Sequence, residues 1–288
     1  MKARHLTSLI AAAAATTCLL SVADSAAAGQ LYNGWNYGID SFTDGSGGEA
    51  YNIRGMAVKE SQGNIFVALT GGTPLNGVAN SSAADGNIGW GDLFFNFTNK
   101  NFTTANNSSS LFGIRFAGTN DSLAATTGVY SNVKATGVAT SNHGYSSLQQ
   151  YYNSGWDKAN TQGTDIATKQ AAFDYFGTGS IMNVIQSGTK VGNINMLSAA
   201  QLSAQGLNFR NFGSGAVGSQ TIGFSFSKEL LGEGNYIANI FLECGNDGVA
   251  LKGSVSVPEP TSTVGLAFLG LGAVCTKLSK RRQGKAIA

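Results

Sequence analysis

Short apolar runs separated by turns rich in glycine and asparagine fill the central part of this chain of 288 residues. The chain has 39 glycines and only three prolines, and just one of these prolines, Pro74, precedes residue 258. Short apolar runs bounded by turn residues are typical of strands that pair with their neighbours through tight turns. The pattern predicts an all-β fold, an antiparallel β-sandwich that is jelly-roll-like, with a short helical insertion.

The clearest predicted pairing is a β-hairpin formed by residues 51–58 and 65–69, because the segment between them has the polar and glycine residues of a turn. In the run 88–97, Phe95 points to one face of a strand and Phe94 to the other. We therefore expect this strand to be covered on both faces. Further strands are predicted over residues 111–117, 128–133, 220–226, 236–242 and 249–257.

Helical patterns interrupt the strands in two places. Over residues 146–176 apolar residues recur every three or four positions, which predicts two short helices on either side of Gly163. Ser198 and Gln201 have the spacing of a capping box, so a third helix is predicted over residues 199–205.

Residues 1–28 have the three parts of a secretory signal peptide. Lys2 and Arg4 precede an apolar region, and Ala26–Ala28 supply the small residues that signal peptidase requires. We predict cleavage at the end of this segment, with the Sec translocon and signal peptidase as partners. The secreted β-sandwich domain then covers residues 29–256.

Residues 257–288 combine a proline motif, an apolar run and a basic tail. The run from Thr261 to Thr276 has no charged residue and as a helix would be about 24 Å long, against a bilayer core of about 30 Å. Positive charge favours the cytoplasmic side, so the tail is expected inside and the proline motif outside the membrane, extended and accessible. The motif is Pro258, Glu259 and Pro260, and the basic stop-transfer residues are Lys277, Lys280, Arg281 and Arg282.

An ordinary single-pass membrane anchor would share the apolar run and the basic tail. The Pro-Glu-Pro at the outer edge of a short span, followed by an Arg-Arg tail, resembles the PEP-CTERM sorting signal. The resemblance implies that an exosortase recognises the motif and cuts near it. It also implies a precursor anchored in the inner membrane, which becomes a cell-surface or extracellular protein of a biofilm matrix after processing.

Five segments of the central domain carry a second resemblance: Tyr32–Trp35, Ile39–Phe42, Asn87–Asn96, Ile114–Asp121 and Glu243–Gly248. In these segments the domain resembles the exosortase-dependent surface proteins of the XDP type. This resemblance implies no known enzymatic activity and no cofactor.

The composition of the secreted part argues against several kinds of chemistry. His143 is its only histidine and Cys244 its only cysteine, so a nucleophilic triad or a closed zinc site is not expected. Without the basic residues of the two termini the domain is mildly acidic, which argues against a nucleic-acid partner. We predict that the domain is not an enzyme and has no cofactor or metal, that His143 lies in a surface loop, and that Cys244 is buried.

Several oxygen-bearing residues leave ligand binding open. Calcium or a sugar is a possible ligand of Asn120, Asp121, Asn246 and Asp247, because hard cations take carboxylate, amide and backbone oxygens. Asp40 and Asp44 lack the ligand spacing of a calcium loop and are expected in a solvated turn.

The main hypothesis from the sequence is an exported structural or adhesive protein without catalysis. A carbohydrate- or calcium-binding module exported by the same route, with extracellular polysaccharide as a partner, is the first alternative. Exposed aromatic residues such as Trp35 could then stack on a sugar, although a core position is the commoner role. A glycoside hydrolase is the second alternative, since a pair drawn from Asp92, Asp121, Glu243 and Asp247 could supply its two carboxylates.

Overall fold

The computed structural model describes residues 29–256, which form two six-stranded antiparallel sheets and a small two-stranded sheet. The predicted signal peptide (1–28) and the tail (257–288), with its sorting motif, membrane helix and basic residues, lie outside the described residues. None of the helices within residues 29–256 has the length and apolar character needed to cross a membrane.

Fourteen strands and four α-helices make up this part of the chain. The strands are β1 (Gln30–Tyr32), β2 (Trp35–Ile39), β3 (Ile53–Ser61), β4 (Asn64–Gly71), β5 (Val78–Ala79), β6 (Asn87–Ile88), β7 (Leu93–Asn96), β8 (Leu111–Arg115), β9 (Gly128–Thr136), β10 (Val184–Gly192), β11 (Asn195–Leu197), β12 (Gln220–Ser227), β13 (Gly234–Phe241) and β14 (Gly248–Val255). The helices are α1 (Phe102–Asn107), α2 (Leu148–Tyr151), α3 (Lys169–Phe176) and α4 (Ala199–Ala204).

Each large sheet contains four consecutive strands as a meander. The first sheet has the order β1-β2-β3-β4-β12-β11, and the second has the order β10-β9-β8-β7-β13-β14. Strand β12 joins the first meander beside β4, and the β13–β14 hairpin joins the second beside β7. The antiparallel β-sandwich is confirmed, and its strand order is that of two extended meanders.

The core lies between the two sheets. Val67 and Phe224 of the first sheet and Phe95 and Ile240 of the second are all fully buried there. Phe116, which follows β8, stacks on Phe224 of the other sheet with 5.1 Å between ring centroids. Each buried side chain of this size contributes about 1.5–3 kcal/mol, so this shared apolar layer holds the sheets together.

Strand β7 is covered on both faces, as predicted. Phe95 faces the core between the sheets, whereas Phe94 contacts Phe102 of α1 at 5.6 Å between centroids. The helix α1 was not predicted. Its first turn is capped by Asn101, whose side chain accepts a hydrogen bond of 2.9 Å from the backbone N–H of Thr104.

The predicted hairpin is the β3–β4 pair. Gln62 and Gly63 at its turn both have positive φ (50° and 73°), the conformation that matches the twist of the two strands.

The predicted helices are also present. Helices α2 and α3 lie on either side of Gly163, and α2 continues into a short irregular helical turn over Tyr152–Trp156. The capping box at α4 is confirmed, since the Ser198 and Gln201 side chains each bond the backbone of the other residue.

Candidate functional site

Strand β2 leads directly into an acidic loop over residues 40–52. Asp40 follows the buried end of β2 and is only 3% exposed, and Asp44 is half-buried. The predicted solvated turn is therefore wrong at Asp40. Tyr37 and Ile39 are buried by the alternation of β2, and the loop that follows packs under the helical insertion. There the side chain of Asn160 donates a hydrogen bond of 3.0 Å to the Ile39 carbonyl.

The turn between β13 and β14 brings a third aspartate to this loop. Asn246 accepts a backbone hydrogen bond from Ser46 at 3.0 Å, and its side-chain amide donates to the Ser46 carbonyl at 2.9 Å. The Asp247 carboxylate accepts a hydrogen bond of 2.7 Å from the backbone N–H of Ile53. These contacts join segments about 200 residues apart in the sequence.

Asp40, Asp44 and Asp247 together form what we call the aspartate cluster. One carboxylate oxygen from each residue lies within 4.8 Å of the corresponding oxygens of the other two. The three residues line a small cavity of about 50 Å³, together with Tyr151 and Tyr152 of the helical insertion.

The oxygens of the cluster are unequally satisfied. Both oxygens of Asp247 accept backbone hydrogen bonds, from Ile53 and Gly248. Asp40 Oδ1 accepts from the Ser41 backbone and from the Asn160 side chain, but Asp40 Oδ2 and Asp44 Oδ1 are buried without a hydrogen-bond partner. Among residues 29–256, no ion pair includes a member of the cluster.

Burial and mutual repulsion disfavour three negative charges at this place. Burial, followed by the charges of Asp247 and Asp44, raises the pKa of Asp40 well above its usual value. Burial raises the pKa of Asp44 to about 6. Burial and the charge of Asp44 also raise the pKa of Asp247. The cluster therefore favours neutralisation, either by protons or by a cation.

A second group of polar residues, which we call the buried polar network, lies at the end of the second sheet. Asp92 is fully buried and accepts hydrogen bonds from the Ile185 backbone at 2.7 Å and from the Asn120 side chain at 2.9 Å. The side-chain oxygen of Asn120 in turn accepts a hydrogen bond of 2.9 Å from Arg115 Nε. The guanidinium of Arg115 also donates to the carbonyls of Gly118, Asn120 and Ala124.

Glu243 and Asp121 continue the buried polar network. Glu243 is 1% exposed and accepts hydrogen bonds from the backbone N–H groups of Gly89 and Asp121, the first at 2.6 Å. Asp121 accepts from the Asn142 side chain at 2.8 Å. Burial raises the pKa of Glu243 to about 7, because its two backbone donors only partly offset the loss of water.

The structure thus separates the ligand residues predicted from the sequence. Asn246 and Asp247 lie at the aspartate cluster, whereas Asn120 and Asp121 bond within the buried polar network. Asp92 and Glu243, two of the four carboxylates considered for hydrolysis, are enclosed by protein donors.

Sequence reasoning missed Asp40 and Asp44 as partners of Asp247. Their spacing fits no calcium loop, and the third carboxylate comes from a distant turn. A usable signal was the position of Asp40, which follows directly on an alternating strand whose inward residues are all apolar.

Three predictions about single side chains have clear outcomes. Cys244 is buried, as predicted, and burial raises the pKa of its thiol to about 12. His143 lies exposed in a loop, also as predicted. Trp35 is fully buried and donates to the Gln205 carbonyl, so it has the core role and is not an exposed platform for a sugar.

A separate groove of about 500 Å³ lies between α3 and the outer face of the second sheet. Its walls carry both signs of charge, from Lys100 and Lys252 and from Asp165 and Asp174, beside the ring of Tyr175. The groove contains no member of the aspartate cluster.

Comparison with known protein families identifies a motif near the C-terminal end of the sequence. Residues 256–282 match the model of the PEP-CTERM protein-sorting motif. No curated protein and no solved structure matches the chain. The motif supports an exported protein that is targeted to an exosortase, and the resemblance of the domain to XDP-type surface proteins stays a prediction.

Proposed function

Since this chain carries a PEP-CTERM protein-sorting motif, we propose that it is an exosortase-processed protein of the bacterial cell surface or extracellular matrix. Its role is structural or adhesive and does not involve catalysis. The motif implies a precursor that passes through the membrane before processing. Display at the surface or in a biofilm matrix, and the structural role, are our inference.

The observation that carries the proposal is the junction between the domain and the motif. Strand β14 ends at Val255, and the match to the sorting motif begins at residue 256. Ser256 is held by the domain, because its backbone N–H donates to Glu60 at 2.8 Å and its hydroxyl lies 2.8 Å from Lys228 Nζ. A cut near Pro258 would leave every described strand in the released protein.

The use of the polar residues supports a non-catalytic role. Catalytic carboxylates of glycoside hydrolases must reach both the sugar and a water molecule. Asp92 and Glu243 instead accept hydrogen bonds from the protein on both carboxylate oxygens and are almost fully buried. This arrangement favours a scaffold over the hydrolase alternative.

The groove beside α3 supports the carbohydrate-binding alternative. Asparagines, charged side chains and two tyrosines line it, and these groups can donate hydrogen bonds to sugar hydroxyls and accept hydrogen bonds from them. Polysaccharide bound along this groove would attach the released domain to the matrix. An Asp174→Ala variant would then lower retention on purified matrix polysaccharide without changing the folded state.

The proposed role can be tested in cells that normally produce the protein. A strain without the gene is complemented with wild-type protein or with a variant carrying both Pro258→Ala and Pro260→Ala. We expect wild-type protein to restore matrix cohesion or adhesion and the unsorted variant to fail. Release of soluble sugars from isolated matrix by purified wild-type protein would overturn the non-catalytic role.

A further inference from the structure

We propose that Asp40, Asp44 and Asp247 bind a calcium ion, which fastens the acidic loop after β2 to the turn between β13 and β14. The site depends on neither the sorting route nor the adhesive role. One segment lies near the N-terminal end of the domain sequence and the other near its C-terminal end. The ion would therefore connect two parts of the chain that are distant in sequence.

The first argument comes from oxygens that have no donor. Asp40 is 3% exposed, and its Oδ2 is buried without a hydrogen-bond partner at the edge of the cavity that the cluster lines. Asp44 Oδ1 is in the same situation. A buried carboxylate oxygen without a donor is costly, and a cation in the cavity would satisfy both oxygens at once.

The second argument comes from charge. The basic residues near the cluster have other partners or face the solvent. Arg54 pairs with Glu49 and donates to the Phe42 carbonyl, and Lys158 lies exposed at the rim of the cavity without an ion pair to the cluster. The charge of Arg54 lowers the pKa of Asp44, but burial outweighs it, and within the described residues no ion pair includes any of the three carboxylates.

The third argument comes from dimensions. The three carboxylate oxygens lie within 4.8 Å of one another. One ion can therefore contact all three oxygens at the calcium–oxygen distance of about 2.3–2.6 Å. Calcium accepts an irregular shell of six to eight oxygens, whereas magnesium needs a near-ideal octahedron at about 2.0–2.1 Å. Three aspartates from two separate segments, with both Asp247 oxygens already bonded to the backbone, suit the more flexible geometry of calcium.

The cavity also has room for further ligands. Its volume of about 50 Å³ exceeds the space that one water molecule needs. Calcium takes six to eight oxygens, so water would complete a shell begun by the three aspartates. Extracellular calcium modules bind with Kd values of about 10⁻⁴–10⁻³ M, and the site is expected to fall in that range.

The test measures thermal unfolding and calcium binding of the full chain, purified in mild detergent and stripped of divalent ions with EDTA. Calcium at about ten times Kd is expected to raise the Tm by about 3–6 °C, and calorimetric titration should show one site. Magnesium at the same concentration should give a smaller shift. A shift with magnesium that equals or exceeds the calcium shift would contradict the assignment to calcium.

Asp44→Asn is the informative variant, because it keeps the volume of the side chain and removes one charge. The calcium-dependent shift in Tm should disappear. In EDTA the variant should be at least as stable as the wild type, since a repulsive charge has been removed; a merely structural aspartate would lower the Tm under both conditions. Asp85→Asn, at an exposed aspartate between β5 and β6, is the matched control and should keep the full shift.

Two results would overturn the proposal. One is a wild-type Tm that calcium does not change, which would mean that protons shared among the carboxylates neutralise the cluster. The other is an equal calcium-dependent shift in wild type, Asp44→Asn and Asp85→Asn, which would place calcium elsewhere on the protein.

Discussion

At the scale of single residues, Glu243 makes the stability of the domain depend on pH. Its pKa is raised from 4.5 to about 7 in the folded protein, so the folded state holds a proton that the unfolded chain has already lost. Stability from this group is fully present below pH about 4.5 and is lost as the pH rises through 7. The loss is about 3 kcal/mol in the free energy of unfolding.

The Glu243→Gln variant isolates this contribution in urea unfolding measured from pH 4 to 8. Its free energy of unfolding should vary less with pH than that of the wild type between pH about 4.5 and 7. Its absolute stability should fall by about 1–3 kcal/mol, because an amide nitrogen would face one of the two backbone N–H donors. Parallel pH profiles for the two proteins would show that Glu243 keeps an ordinary pKa.

Asn120 joins Asp92 to Arg115 in the buried polar network. Asn120→Ala should lower the free energy of unfolding by about 1–3 kcal/mol, because buried donors and acceptors would lose their partners. Asn107→Ala, on the exposed face of α1, is the matched control and should change stability by less than about 0.5 kcal/mol. Equal effects of the two substitutions in denaturant unfolding would mean that the network adds no stability.

Single residues were predictable where the neighbouring sequence decides their environment. The exposure of His143 followed from the polar residues and the glycine beside it, and the burial of Cys244 followed from the general tendency of a free cysteine to be buried. The environment of Asp40 depends on a turn about 200 residues away and on a helical insertion that packs over it. The local pattern shows that Asp40 follows a strand with apolar inward residues, but it does not identify the distant residues that enclose Asp40.

At the scale of elements, strong periodicity or local capping made a segment predictable. The β3–β4 hairpin and α4 were found because their turn and cap residues are adjacent in the sequence. Strand β10 was missed, because most of its side chains are exposed and its pairing with β9 contains register shifts. A strand without an alternating apolar face gives no period-two signal.

The capping box of α4 provides a test at this scale. Ser198→Ala removes the side-chain acceptor for the Gln201 backbone N–H and should lower the free energy of unfolding by about 0.5–2 kcal/mol. Ser203→Ala, at an exposed position in the same helix, should be neutral or slightly stabilising, because alanine is the better helix former. A cap variant as stable as the Ser203 variant in urea unfolding would contradict the role of the cap.

At the scale of the whole molecule, the antiparallel sandwich was within reach of the sequence, but the full set of fourteen strands and their order were not. Strand β12 pairs with β4 across about 150 residues, and β13 pairs with β7 after the intervening helical insertion. These pairings depend on which apolar faces meet once the chain has collapsed. The sorting motif, in contrast, is a contiguous signal and was readable directly.

The central claim is that an exosortase releases a complete β-sandwich at the sorting motif, and the intact mass of the protein recovered outside native cells tests it most directly. We predict a chain that starts near Gly29 and ends near residue 258, and a variant with Pro258→Ala and Pro260→Ala that stays in the membrane with its C-terminus uncut. Wild-type protein that remains in the inner membrane with residues 257–288 intact would contradict the claim and indicate an ordinary membrane-anchored domain.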